Sequence, residues 1–323
     1  MEIPATAIGI TRLERELRPC YENPCVVKRE YVVESQEPSA FASPNGEASQ
    51  RPTIGVFDSG VGGLTVARAI LEHLPAARLM YLADTAHVPY GPRPLPQVRG
   101  FALQIIDFLF AQGVDAVVMG CNMSIASGAR EVAVQRYTQP IFEIIRPGCG
   151  AAQRASRLGK VGVIATQGTV NSGAYGRVLC ELGVPHFIEQ PCPAFVPLVE
   201  RGSSDGPEVE AAVAEYLGPL RDAGIDTLVF GCTHYPFLRA AVEQFLGAEI
   251  ALIDPAEQVA HEMAAYYGPA AHALDADPAG HRFFCSGDPD SLQREAQRFL
   301  GLPDIRVEQV NVPVEELVPS LEA

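Results

Sequence analysis

The sequence predicts an α/β protein of two similar parallel-sheet lobes related by pseudo-twofold symmetry, with the active site in the cleft between them. Three features carry the prediction. Short β-branched runs alternate with longer amphipathic ones, one stretch of sequence repeats, and each copy of the repeat ends in Gly-Cys. Strand alternating with helix requires crossover connections, and therefore a parallel sheet.

The regular pattern starts near Pro52. Thr53–Phe57 (TIGVF) reads as a buried strand and Leu64–His73 as a helix. Arg78–Ala83 reads as a strand and Pro96–Gln112 as a long helix. Ala116–Met119 is a further buried strand, and Ser127–Tyr137 a further helix. Residues 1–50 differ: Ser, Pro, Glu, Asn and Gly crowd Glu34–Gln50 and no period persists, so the segment reads as an N-terminal extension, ordered in part around Cys25–Val33 and tied on by a flexible linker.

The repeat aligns Gly113–Asn122 (GVDAVVMGCN) with Gly224–Thr233 (GIDTLVFGCT) without a gap. Earlier in each half, Ile54–Phe57 (IGVF) matches Val161–Ile164 (VGVI). Each copy runs from a helix-ending Gly through Asp and an apolar strand to Gly-Cys and a small polar residue. That places Cys121 and Cys232 at strand C-terminal ends, where open α/β sheets bind ligands. Two such ends facing one cleft present two thiols to one ligand.

Bulk composition narrows the partners. At 323 residues, with 47 % hydrophobic and 20 % charged content, the chain suits a globular protein of two lobes. A formal net charge of −15 disfavours non-specific nucleic-acid binding and attachment to an anionic membrane. No segment reaches the roughly 18 apolar residues of a spanning helix, and Met1–Pro19 lacks the apolar core of a secretory signal. Eight cysteines without a C-x-x-C spacing suggest neither a disulfide framework nor structural zinc. A reducing cytoplasm is the expected location.

Several motifs carry chemistry. Asp58-Ser59-Gly60-Val61-Gly62-Gly63 follows a strand and opens a helix, which suits a bound carboxylate or phosphate and equally suits a tight structural turn. Tyr90-Gly91 lies in Asp84–Arg93 (DTAHVPYGPR), a Pro-fixed loop able to aim backbone N–H groups at a ligand or simply to pack Tyr beneath a turn. Cys149, Cys180, Cys192 and Cys285 read as small hydrophobes. Cys121 with Asn122, and Cys232 with Thr233 and His234, form the symmetric pair. Metal binding is the chemical rival: these residues supply three ligands, with no fourth at usable spacing.

At these residues the chain resembles glutamate racemases within the aspartate/glutamate racemase superfamily. The resemblance rests on Phe57–Gly63, Val88-Pro89-Tyr90-Gly91, Gly120-Cys121-Asn122 and Gly231-Cys232-Thr233-His234-Tyr235-Pro236, with Ile164–Val170 and Cys192–Glu200 between them. It runs from about Pro52 to Asp288 in the right order. It implies a first lobe of residues 51–143 plus 255–323, a second of 144–254, and no cofactor or metal. Cys121 and Cys232 would be the catalytic thiols, Asp58 would assist Cys121, and Glu200 and His234 would lie beside Cys232. Ser59, Tyr90, Gly91, Asn122, Thr169 and Thr233 would hold the two carboxylates of glutamate, with Thr166 a weaker candidate. The sequence departs from the family at Met123, where Thr is usual. Met donates no hydroxyl hydrogen bond, and Ser124 or the backbone N–H at 123 is the candidate replacement.

Racemisation removes the α-proton from one face and returns a proton to the other, so a base and an acid must flank Cα together. A free Cys titrates near about 8.5 and needs a local field to become a thiolate. The expected function is cofactor-independent interconversion of L- and D-glutamate, with glutamate as small-molecule partner, no nucleic acid and no membrane. A homodimer stays open. So do two alternatives: a racemase of aspartate or a related acid, and a catalytically weak binding or inhibitor protein on the same fold.

Overall fold

The structure, a computed structural model, describes residues 51–268 and 280–312, together with a backbone strand at 18–19. The order expected around Cys25–Val33 and the linker Glu34–Gln50 lie outside the described residues. Among the described residues, eleven strands run β1 Arg18–Pro19, β2 Thr53–Asp58, β3 Arg78–Ala83, β4 Ala116–Met119, β5 Ile141–Glu143, β6 Lys160–Ala165, β7 His186–Pro191, β8 Thr227–Gly231, β9 Ala251–Ile253, β10 Arg282–Cys285 and β11 Val307–Gln309. They form two sheets, β11-β10-β3-β2-β4-β5 and β1-β7-β6-β8-β9, parallel throughout except where β1 lies antiparallel on β7. The chain leaves the first sheet after Glu143 and rejoins it at Arg282.

The inner strands are continuously apolar because both faces of each sheet are covered. On the first sheet, Ile54, Val56 and Val118 pack with Leu64, Ile70 and Met263 on one side, while Phe57, Val117 and Met119 pack with Ile105 and Leu109 on the other. The second sheet repeats the arrangement, with Leu228 and Phe230 against Leu217 and Val242, and Val161, Val163 and Val229 against Cys149 and Tyr175. Among the described residues no helix is long and apolar enough to cross a membrane.

The repeated sequence performs the same structural tasks twice. Gly113 and Gly224 end their helices in the left-handed region, at φ +86° and +71°. Asp115 and Asp226 follow, their N–H groups bonding Thr53 O and Lys160 O at the start of the neighbouring strand. Gly120 and Gly231 lie against a neighbouring strand's carbonyl: a Cβ would stand 3.0 Å from Phe57 O in one and 2.8 Å from Ile164 O in the other. Each cysteine therefore leaves its sheet at the same point of the ladder. The strand orders correspond as well, β3-β2-β4-β5 against β7-β6-β8-β9.

One expected element is different. The helix expected over Ser127–Tyr137 is two short ones, Asn122–Ala126 and Ala129–Ala133, divided by Gly128 at φ +78°. The break is held from outside the segment, because Arg99 Nε donates to Ser127 O at 2.6 Å. The long helix runs Leu95–Ala111, one residue earlier than expected.

Candidate active site

The C-terminal ends of both sheets open on a cavity of about 930 Å³, within the range typical of small-molecule sites. The first sheet supplies Asp58 and Ser59 after β2, Tyr90 and Gly91 from the loop after β3, and Cys121, Asn122 and Met123 after β4. The second supplies Thr166 and Thr169 after β6, Glu200 from the helix Phe195–Glu200, and Cys232, Thr233 and His234 after β8. Every site residue expected from the sequence lines this one cavity except Ser124, the candidate replacement for the missing hydroxyl, which is fully buried and off its wall.

Asp58 ties the two halves together. Its Oδ1 accepts from the Ser59 N–H at 2.6 Å, and its Oδ2 accepts from Thr233 Oγ1 of the other sheet at 2.7 Å. Glycine makes this approach feasible: a Cβ on Gly62 would sit 2.5 Å from both His234 Nδ1 and Thr233 Oγ1. The turn is fixed from behind by Tyr81, whose hydroxyl donates to Gly60 O at 2.6 Å. Burial pushes the Asp58 carboxyl up, against the pull of His234 and the hydrogen bonds from Thr233 and Ser59.

The two thiols occupy opposite electrostatic settings. Cys121 is buried and its Sγ lies 3.9 Å from Ser59 Oγ. Burial, then the negative charge of Asp58, pushes its pKa up to about 12, and contacts with Ser124 and Ser59 only partly offset this. Cys121 is therefore held as a thiol. Cys232 Sγ lies 3.8 Å from His234 Nδ1, and His234 Nε2 meets Glu200 Oε1 at 2.6 Å. Burial alone would lower the imidazole, but the bonds to Cys232 and Glu200 and the charges of Cys232 and Asp58 win, raising it to about 10. At neutral pH His234 is an imidazolium facing the Cys232 sulfur.

The polar lining is suited to a carboxylate. Asn122 Oδ1 accepts from the Tyr175 hydroxyl at 2.8 Å, which fixes the amide and leaves Nδ2 buried with no acceptor among the described residues. Thr166 caps the helix Gln167–Ser172, and its Oγ1 lies 3.0 Å from Thr169 Oγ1. Met123 does not restore a hydroxyl. It packs across the cavity floor toward Gly168, where a Cβ would come within 2.8 Å of its Sδ and 2.3 Å of Gly91 O. Tyr90 also differs from a simple ligand-holding side chain: its hydroxyl donates to Asp84 Oδ2 at 2.5 Å, so its ring and backbone are what it offers the cavity.

Sequence reasoning passed over other lining residues. Arg93 brings a cation to the wall, braced by Nε donation to His87 O at 2.7 Å. It lies inside the Asp84–Arg93 loop, but no spacing singles it out. Cys192 reads as a small hydrophobe and is fully buried, yet it also borders the cavity, with its thiol turned to Gln190 O. Among the described residues no group of three or more His, Cys, Asp or Glu has metal-ligand geometry.

Known proteins with this arrangement are consistent with one another. The family described as Asp/Glu/Hydantoin racemase matches residues 54–263. A glutamate racemase from Beutenbergia cavernae is 44 % identical over 285 residues, covering 84 % of this chain and 96 % of that protein. A glutamate racemase from Desulforudis audaxviator is also 44 % identical, over 77 % of this chain and 94 % of its own length. Among solved structures, glutamate racemase isoform RacE1 from Bacillus anthracis superposes with a TM-score of 0.75 at 37 % identity, over 82 % of this chain and 99 % of that one. The glutamate racemase from Francisella tularensis, solved in complex with D-glutamate, has a TM-score of 0.72 at 30 % identity, again over 82 % and 99 %. Shared sequence, shared fold and a match that spans both cysteines give one conclusion: the chain belongs to the Asp/Glu/hydantoin racemase family.

Proposed function

We propose that this protein interconverts L- and D-glutamate by a two-base mechanism with Cys121 and Cys232 on opposite faces of Cα, supplying D-glutamate for peptidoglycan. The observation that carries the reading is the opening of two thiols, one from each sheet, onto a single cavity. The glutamate racemases among its relatives support the choice of substrate.

The Cys121 thiol and the His234 imidazolium assign the first move. Cys232 acts as the base, its thiolate form facing the His234 imidazolium, and takes the α-proton from one face. Cys121, as thiol, delivers its proton to the other. One S–H bond forms at Cys232 as one breaks at Cys121, and the enantiomer then meets the complementary state, with Cys121 as base. General acid–base groups of this kind contribute about 10²- to 10⁴-fold each. Negative charge developing on the α-carboxylate is met by donors already in place, Asn122 Nδ2 above all, with Ser59 and Thr169 around it, while the Thr233 hydroxyl is held by Asp58. Glu200 and His234 beside Cys232, and Asp58 with Ser59 beside Cys121, move or hold protons at the two sulfurs.

The test is loss of circular dichroism from L-glutamate and from D-glutamate with reduced protein, together with deuterium uptake at Cα in deuterated water. Both signals are expected, and Cys121→Ser and Cys232→Ser should each lower turnover by at least about 10²-fold. Wild-type protein that exchanges neither enantiomer would sink the proposal.

A further inference from the structure

Behind the cavity lies a second polar cluster centred on Asp84. It follows β3, its N–H donates to Asp58 O at 2.9 Å, and its side chain is fully buried. Its carboxylate receives three side chains. Tyr90 Oη donates to Oδ2 at 2.5 Å, Ser286 Oγ donates to Oδ1 at 2.5 Å, and His87 Nδ1 lies 2.8 Å from Oδ1 and 3.0 Å from Oδ2. The Ser286 hydroxyl also accepts from the Ala86 N–H at 2.9 Å, and the His87 ring stacks on Phe101 at 4.3 Å. A buried carboxylate is stable only when its lone pairs are met, and charge-assisted bonds are the stronger ones. Here the donors come from His87 and Tyr90, within the loop that forms one cavity wall, and from Ser286 in the segment after β10. That segment does not itself line the cavity.

We propose that Asp84 is a positioning residue: by holding His87, Tyr90 and Ser286 it fixes the backbone of Val88–Gly91 against which the substrate carboxylate is bound, a role that rests on the glutamate-racemase reading for the identity of that ligand. The geometry separates Asp84 from the reacting atoms. The Tyr90 hydroxyl is spent on Asp84, so the wall offers main-chain groups whose direction depends on how tightly the loop is pinned. Preorganised donors are worth most when they do not have to reorient on binding. Loosening the loop therefore weakens substrate binding and leaves the thiol chemistry in place.

Ser286→Ala tests this from outside the cavity, with Tyr90→Phe and Asp84→Asn as companions and Ser286→Thr as the conservative rescue. Amide hydrogen exchange at Val88, Tyr90, Gly91 and Arg93 in substrate-free protein should quicken by about tenfold in Ser286→Ala and return toward wild type in Ser286→Thr. KM for glutamate should rise by about tenfold, with kcat within about twofold. Ser286→Ala combined with Tyr90→Phe should show less than the product of the single effects, because both act through one carboxylate. Should Asp84→Asn fail to fold, the other three variants decide. Unchanged exchange at these amides, or a fall in kcat with KM unaltered, overturns the proposal. Wild-type protein without turnover contradicts the function above, and the exchange measurement then decides Asp84 by itself.

Discussion

His234 holds the most charge-sensitive position in the cavity, between a sulfur and a carboxylate. Its folded value of about 10 stands above the ordinary 6.5. A raised value means that the protonated ring stabilises the fold fully below pH 6.5 and that this contribution is lost as pH climbs through about 10. The thermal midpoint of the wild type should therefore fall between pH 7 and 10 more steeply than that of His234→Gln. Parallel slopes in the two proteins would contradict the ion pair. Turnover should decline over the same alkaline range as Cys232 loses its counter-charge. Gly62 is the second residue to probe. An added methyl would meet His234 Nδ1 and Thr233 Oγ1 at 2.5 Å, and overpacking of this kind costs about 1–3 kcal/mol. Gly62→Ala should lower the unfolding free energy by that amount, read as a lower denaturant midpoint, and reduce turnover with it. A variant with wild-type stability and rate would mean that the Asp58–Thr233 contact is dispensable.

The helix pair after β4 shows where local sequence stops being informative. Gly128 sits at φ +78°, and a Cβ there would come no closer than 3.3 Å to Arg99 Nη2 and 3.7 Å to Glu131 Oε2, both ends of side chains. Gly128→Ala is expected to cost about 1–2 kcal/mol through backbone strain alone, read as a lower denaturant midpoint, with racemisation unchanged because Gly128 lies off the cavity wall. The strands were legible because two-sided burial turns them into unbroken apolar runs, and the helix-ending Gly113 and Gly224 announce the strands that follow. The split at Gly128 was not, because it depends on Arg99, which belongs to a different helix. Nor was the helix start at Asn122, whose N-cap is Cys121 and makes no side-chain capping bond. The cavity residues stood out where the repeat doubled them. Asp84 did not, since its partner Ser286 is 202 residues away, and Arg93 carries no motif of its own. Met123 was visible as a departure, but its contact with Gly168 of the other sheet was not.

At the scale of the whole molecule, two sheets of matching strand order turn their ligand-binding ends toward each other and meet through Asp58 and Thr233 at 2.7 Å. In the proposed mechanism each copy of the repeat brings one sulfur, and the surroundings make the two unequal, a thiol held by burial near Asp58 and a sulfur facing an imidazolium. A tetrahedral carbon flanked by such a pair exchanges its hydrogen for a different one, because the atom removed stays on the first sulfur while the second supplies its own. Early-time mass analysis of L-glutamate incubated with the protein in deuterated water tests this most directly. A two-base mechanism requires D-glutamate that carries deuterium at Cα from the first turnover, beside recovered L-glutamate that still carries protium. Protium carried over from substrate into the D-product would mean that one group serves both faces, and would contradict the assignment of Cys121 and Cys232 as an acid–base pair.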